Sequence, residues 1–142
     1  MKVVEMYRLK PEAKLKLPLL LFRTPAGYPS PADDYIEERI DLNKKLIKHP
    51  ETTYFVRVIG DSMIEARIYD GDYLIVDRAL EPDNNDIVLA VLNGEITVKR
   101  LVKKAKRWYL VAANPNYPPC EITPEMDFEV WGKVTYIFHP VE

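Results

Sequence analysis

Cysteine is almost missing from this chain: Cys120 stands alone. An intrachain disulfide is therefore excluded, and a reducing compartment is expected. Histidine is nearly as scarce. His49 and His139 lie ninety residues apart, so the spacing of a zinc site is absent and neither a metal nor another cofactor is expected. No run approaches the roughly 20 apolar residues of a membrane span. The stretch Leu17-Pro18-Leu19-Leu20-Leu21-Phe22 is shorter than the roughly 7–15 residues of a secretory core, and Lys14 and Lys16 crowd it. The chain thus reads as cytoplasmic, with no membrane contact. A dominant charge is lacking too, since 20 basic residues meet 22 acidic ones. The cluster Lys103, Lys104, Lys106 and Arg107 reads as a solvated hairpin tip, so direct specific nucleic-acid binding is not expected.

What charge there is falls unevenly. Residues 1–26 carry six basic and two acidic side chains, a balance of +4, which leaves −6 on the rest of a chain whose net charge is −2. A basic arm held against an acidic body by ordinary electrostatics is one consequence. The 142 residues suffice for one ordinary hydrophobic core.

Proline divides the chain. Pro11, Pro18, Pro25, Pro29 and Pro31 break helices and withhold ladder donors, so residues 1–32 read as an extended N-terminal arm with room for one short strand. Residues 33–142 form the body. Within it, Ile36 and Ile40, then Leu42 and Leu46, recur four apart. This spacing predicts a helix over residues 33–48, with Asp41 able to cap a second turn and His49-Pro50 ending it. Beyond that, β-branched and aromatic residues predict strands over 54–59, 73–77, 86–92, 95–102, 108–112 and 128–138. Asn93-Gly94 predicts a two-residue hairpin, and Asp70-Gly71-Asp72 another turn. Asn114-Pro115-Asn116 and Pro118-Pro119 mark a loop. The expected fold is mostly β, compact and antiparallel, with a short helix and an extended arm.

Two residues stand out chemically. Ser62 lies in Gly60-Asp61-Ser62-Met63, a tight turn after a predicted strand, where Gly60 permits the sharp geometry. Lys99 lies mid-strand among Ile96, Val98, Leu101 and Val102. A serine hydroxyl becomes a nucleophile when a neighbouring base takes its proton, and an amine serves only when neutral, a form that burial favours. Period-two alternation puts Thr97, Lys99 and Leu101 on one face, so Lys99 has an apolar neighbour and an orienting hydroxyl. The pair reads as a Ser-Lys dyad, with the backbone N–H of Ser62 as the first oxyanion donor. Met63 and Ile64 are expected to pack beneath the serine. Asp61, Asp70 and Asp72 are expected to be turn formers, since an anion beside the lysine would oppose its neutral form.

These motifs sit in a longer ordered set: Ala26-Gly27-Tyr28-Pro29-Ser30-Pro31, Arg39-Ile40-Asp41-Leu42-Asn43, Thr53-Tyr54-Phe55-Val56, Asp70-Gly71-Asp72, Leu74-Ile75-Val76-Asp77 and Thr97-Val98-Lys99. From Ala26 to Val134 the chain resembles the LexA/UmuD family of self-cleaving Ser-Lys peptidases. The resemblance implies a LexA-like peptidase fold, Ser62 as nucleophile, Lys99 as general base, and Ala26-Gly27 as the bond the protein cuts in itself. It further implies stimulation by a RecA filament on single-stranded DNA, and a homodimer. In one branch of the family the cut form is the accessory partner of the catalytic subunit of an error-prone translesion DNA polymerase in the SOS response to DNA damage. A second branch, the LexA-like transcriptional repressors, needs a helix-turn-helix domain before the cleavage bond, for which 26 residues with several prolines are too few. A non-catalytic interaction module of the same fold needs none of Ser62, Lys99 or Ala26-Gly27.

Overall fold

The computed structural model describes residues 1–9, 16–20 and 36–141. Its described residues fall into two compact units, one of Met1–Leu9 with Glu51–Glu142 and one of Lys10–Pro50.

The larger unit is built on one antiparallel sheet. Its strands are β1 (Lys2–Arg8), β4 (Thr53–Ile59), β5 (Tyr73–Asp77), β6 (Ile87–Leu92), β7 (Glu95–Lys104), β8 (Arg107–Val111), β9 (Cys120–Glu121) and β10 (Phe128–Phe138). They are ordered β1-β4-β5-β10-β6-β7-β8-β9, and β1 also meets β7 where Lys2 faces Thr97. That last pairing closes the sheet on itself, barrel-like, and leaves β1 bridging β4 and β7. Closure of this kind removes free strand edges, which otherwise expose unpaired N–H and C=O groups.

Each strand forms for a local reason. The β6–β7 hairpin turns at Asn93 and Gly94, both at positive φ (49° and 84°), the geometry that asparagine and glycine adopt most readily. The β7–β8 hairpin turns at Ala105 and Lys106, also at positive φ, and carries the basic cluster at its exposed tip. The long β10 pairs with β6 through its first half and with β5 through its second, and two bulges let it bend between them. At Gly132 the chain passes so close to β5 that a Cβ would stand 2.6 Å from Val76 Cγ1.

Alternation along these strands builds the interior. Val56, Val58, Met63, Ile68, Leu74, Val76, Leu89 and Val98 form one fully buried cluster. Val88, Ala90, Leu101 and Leu110 form a second. Neighbours Val88 and Leu89 belong to different clusters, so β6 is buried on both faces and reads in sequence as a continuous apolar run.

The smaller unit corrects one expectation. Among the described residues of 33–48 the expected helix is confined to α1 (Leu42–Leu46), and Ile36–Asp41 forms a strand, β3, paired with β2 (Lys16–Leu20). Ile36 and Ile40 lie four apart, but a spacing of four also satisfies a period of two. Pairing with β2 decides the matter, and Asp41 then caps α1 by accepting from the Asn43 N–H at 3.0 Å.

Candidate active site

The serine turn begins where β4 ends. Gly60 sits at φ +105°, a conformation glycine tolerates and side-chain-bearing residues avoid, and its N–H donates to Asp70 Oδ1 across 2.8 Å. Ser62 and Met63 follow, and then the short 3-10 turn Ile64–Ala66. Met63 is fully buried in the main cluster, as expected, whereas Ile64 is 44% exposed and does not pack beneath the serine. A 3-10 turn rotates successive side chains by about a third of a circle, so Met63 inside puts Ile64 outside.

The loop before β9 braces this turn. The Asn114 side-chain amide donates to the Asp61 carbonyl (3.0 Å), and the Tyr117 hydroxyl donates to Asp61 Oδ1 (2.6 Å). The Ala113 carbonyl accepts from the Glu65 N–H at 2.8 Å. Asp61 is thus a turn residue, but one that anchors a second loop. Asp70 holds Gly60, and Asp72 is fully buried, with one carboxylate oxygen accepting from the Tyr69 N–H and the other 2.6 Å from His139 Nδ1.

Lys99 reaches the serine from β7. Its amine donates to Ser62 Oγ across 2.8 Å, closing a gap of 37 residues in sequence. Half-burial lowers the Lys99 pKa from its ordinary value, because leaving water penalises the charged amine. The Tyr117 ring lies 5.4 Å from the same amine. Thr97, on the same face as Lys99, donates through Oγ1 to the carbonyl of Met1 (3.0 Å), and the Val98 N–H donates to that carbonyl as well (3.3 Å).

Met1 is the unexpected member of the site. Its α-amine donates to Ser62 Oγ across 2.6 Å, and Ser62 is only 1% exposed. Burial, then the neighbouring Lys99 charge, pushes the Met1 amine down to about 5, with Asp61 pulling weakly the other way. A cavity of about 500 Å³ adjoins the site, lined by residues 1–3, 59–61, 95–97 and Tyr117. Among the described residues, no group of three or more His, Cys, Asp or Glu is placed to hold a metal ion. No helix among them is long and apolar enough to cross a membrane.

The structure therefore brings Ser62 and Lys99 together, while Ala26 and Gly27 lie outside the described residues. Sequence reasoning missed Met1, Asn114 and Tyr117. Asn114 and Tyr117 sit in a segment whose prolines signalled only a loop, and nothing local to Met1 signals a site.

Known proteins resemble this chain over most of its length. Residues 18–135 match the family described as Peptidase S24-like. Protein SamA of Salmonella typhimurium is 48% identical over 122 residues, covering 86% of this chain and 84% of SamA. Protein MucA of Escherichia coli is 43% identical over 128 residues, covering 88% and 87%. LexA repressor 1 of Geobacter sulfurreducens is 40% identical over 118 residues, covering 82% of this chain but 58% of the repressor.

Proposed function

Because the chain belongs to the Peptidase S24-like family, we propose that it is a self-cleaving serine endopeptidase in which Ser62 is the nucleophile and Lys99 its general base. The observation that carries this reading is the 2.8 Å contact between Lys99 Nζ and Ser62 Oγ, made by a lysine whose pKa burial lowers. In the charged form the amine donates to the hydroxyl. Once neutral it accepts the hydroxyl proton, and Oγ is freed to attack.

The bond attacked is Ala26-Gly27, in the proline-rich arm of residues 1–32, with residues 33–142 as the peptidase body. Oγ adds to the Ala26 carbonyl, and backbone N–H groups of the serine turn, Ser62 first, steady the oxyanion. Collapse of the intermediate breaks the C–N bond, and protonated Lys99 returns its proton to the Gly27 amine. Water, deprotonated by the same lysine, then hydrolyses the ester on Ala26. Glycine at the leaving position lets the two backbones approach closely.

The family resemblance supports the wider setting. A RecA filament on single-stranded DNA stimulates the cut, and the shortened form serves, as a homodimer in the cytoplasm, as accessory subunit of an error-prone translesion polymerase. Incubation of the purified chain with RecA, single-stranded DNA and nucleotide, read by intact mass and N-terminal sequencing, tests the proposal. A product beginning Gly27-Tyr28-Pro29, absent from Ser62→Ala, is expected. A different start, or the same cut in Ser62→Ala, overturns it.

A further inference from the structure

β1 has features of a ligand as well as of a strand. None of its seven residues is buried, and only Val3 and Glu5 are half-covered. Val4, Met6 and Tyr7 point largely to solvent, at 42%, 37% and 50% exposure. It is held by backbone pairing with β4, from Lys2 facing Ile59 to Arg8 facing Tyr54, by the single meeting with β7, by Met1 and Val3 packing against the main cluster, and by an ion pair from Glu5 to Arg57. Strand addition of this kind is a common way to bind an extended peptide.

The end of β1 is placed where the reaction occurs. When a serine attacks a peptide, the departing nitrogen lies one bond, about 1.3 Å, beyond the carbonyl carbon that Oγ approaches. A chain whose first nitrogen is 2.6 Å from Ser62 Oγ, and which runs away from it between β4 and β7, follows the course of the departing half of a substrate. Two further contacts fit a built groove. The Met1 carbonyl receives both Thr97 Oγ1 and the Val98 N–H, which fixes the first residue to β7. Gly60 lines the same cavity and lies against the first residue, where an added Cβ would stand 3.6 Å from Met1 Cα, an ordinary contact distance.

We propose that the channel between β4 and β7 is the amine-side half of the substrate groove, that it takes an extended peptide strand, and that β1 is its resident occupant. Self-cleavage then requires β1 to give up this place to the residues after Ala26. With β1 in place the nucleophile is covered, and the Met1 amine holds the same Ser62 Oγ that Lys99 must deprotonate. An activator need only favour the state in which β1 has left. This inference rests on the self-cleavage reading, but access to Ser62 can be measured without it.

Lys2 and Ile59 face each other in register. The test uses the full chain carrying Lys2→Cys and Ile59→Cys, with Cys120→Ser to remove the native thiol. Self-cleavage and Ser62 labelling by a fluorophosphonate are followed before and after reduction, beside a chain lacking residues 1–5 whose fold is checked by circular dichroism. Oxidation should suppress both readouts at least about tenfold, and reduction should restore them. Deletion should raise both above the intact chain. If the folded, oxidised chain cleaves and labels as fast as the reduced one, or if the disulfide does not form in the folded chain, the groove is misassigned while self-cleavage stands. If labelling follows β1 but no chain ever cuts itself, the groove stands and the self-cleavage reading falls.

Discussion

Tyr117 donates its hydroxyl to Asp61 Oδ1 across 2.6 Å and so holds its ring 5.4 Å from the Lys99 amine. One hydrogen bond thus links the loop before β9, the serine turn and the base. The hydrogen bond to Asp61, and after it the charge of that carboxylate, holds the Tyr117 phenol above its ordinary pKa. Tyr117 stays a donor at neutral pH. Tyr117→Phe keeps the ring and loses the tether. Self-cleavage is expected to fall several-fold while the urea midpoint barely moves, because an exposed hydrogen bond is largely replaced by water. An unchanged rate in Tyr117→Phe would show that the tether does not position the site.

Ser62→Ala and Lys99→Ala should each abolish self-cleavage, and the double variant should lose no more than either alone, because the two groups act as one unit. The folds should survive. Lys99→Ala should even tolerate denaturant slightly better, since it removes an amine that burial disfavours. Product mass and urea midpoints for the three variants check both statements.

Rate should depend on pH through Lys99. Only the neutral amine accepts the serine proton, so unassisted cleavage should rise with pH and level off above the folded-state pKa. That plateau should begin below the ordinary lysine value of about 10.4, because burial lowers the pKa. A profile from neutral to about pH 10.5, with circular dichroism as the fold control, reads this directly. A flat profile would remove Lys99 as the base.

The Met1 amine makes a separate prediction about stability. Its pKa is about 5 in the folded chain against 8.0 ordinarily, so the unfolded state takes up the proton first as pH falls. Its favourable contribution is therefore complete above pH 8, declines between 8 and 5, and is constant below. Acetylating the α-amine removes this titration. The stability of the acetylated chain, measured by urea unfolding at several pH values, should vary less across that window than that of the free chain.

Gly132→Ala should destabilise the sheet by about 1–3 kcal/mol, the range for overpacking a close contact. The added carbon meets Val76 Cγ1 at 2.6 Å in the fully buried cluster, where the neighbouring strand leaves little room to yield. Urea unfolding of the variant measures it. Pairing it with Val76→Ala should recover part of the loss if the clash is the cause.

Local patterning made most of the larger sheet readable in advance. Strands over 73–77 and 128–138 were expected with their observed bounds, the others with ends shifted by a few residues, and the Asn93-Gly94 hairpin where it stands. Each depends on neighbours in sequence: alternation, β-branching, and residues that accept positive φ. The residues around Ile36 and Ile40 were ambiguous because their spacing suits either period, and a partner strand rather than their own sequence chose between helix and sheet.

The sequence by itself determined a mostly β chain, and it named Ser62 and Lys99 because their local settings stand within a long ordered set of motifs similar to those of one family. Only the tertiary structure decided that β1 bridges β4 and β7, that Met1 covers the serine, and that Tyr117 and Asn114 reach back to Asp61. The Met1, Asn114 and Tyr117 contacts join residues between 53 and 61 positions apart. Backbone hydrogen-bonding groups are alike at every position, so which strand fills the gap between β4 and β7 is set by the closing of the whole sheet, not by any motif.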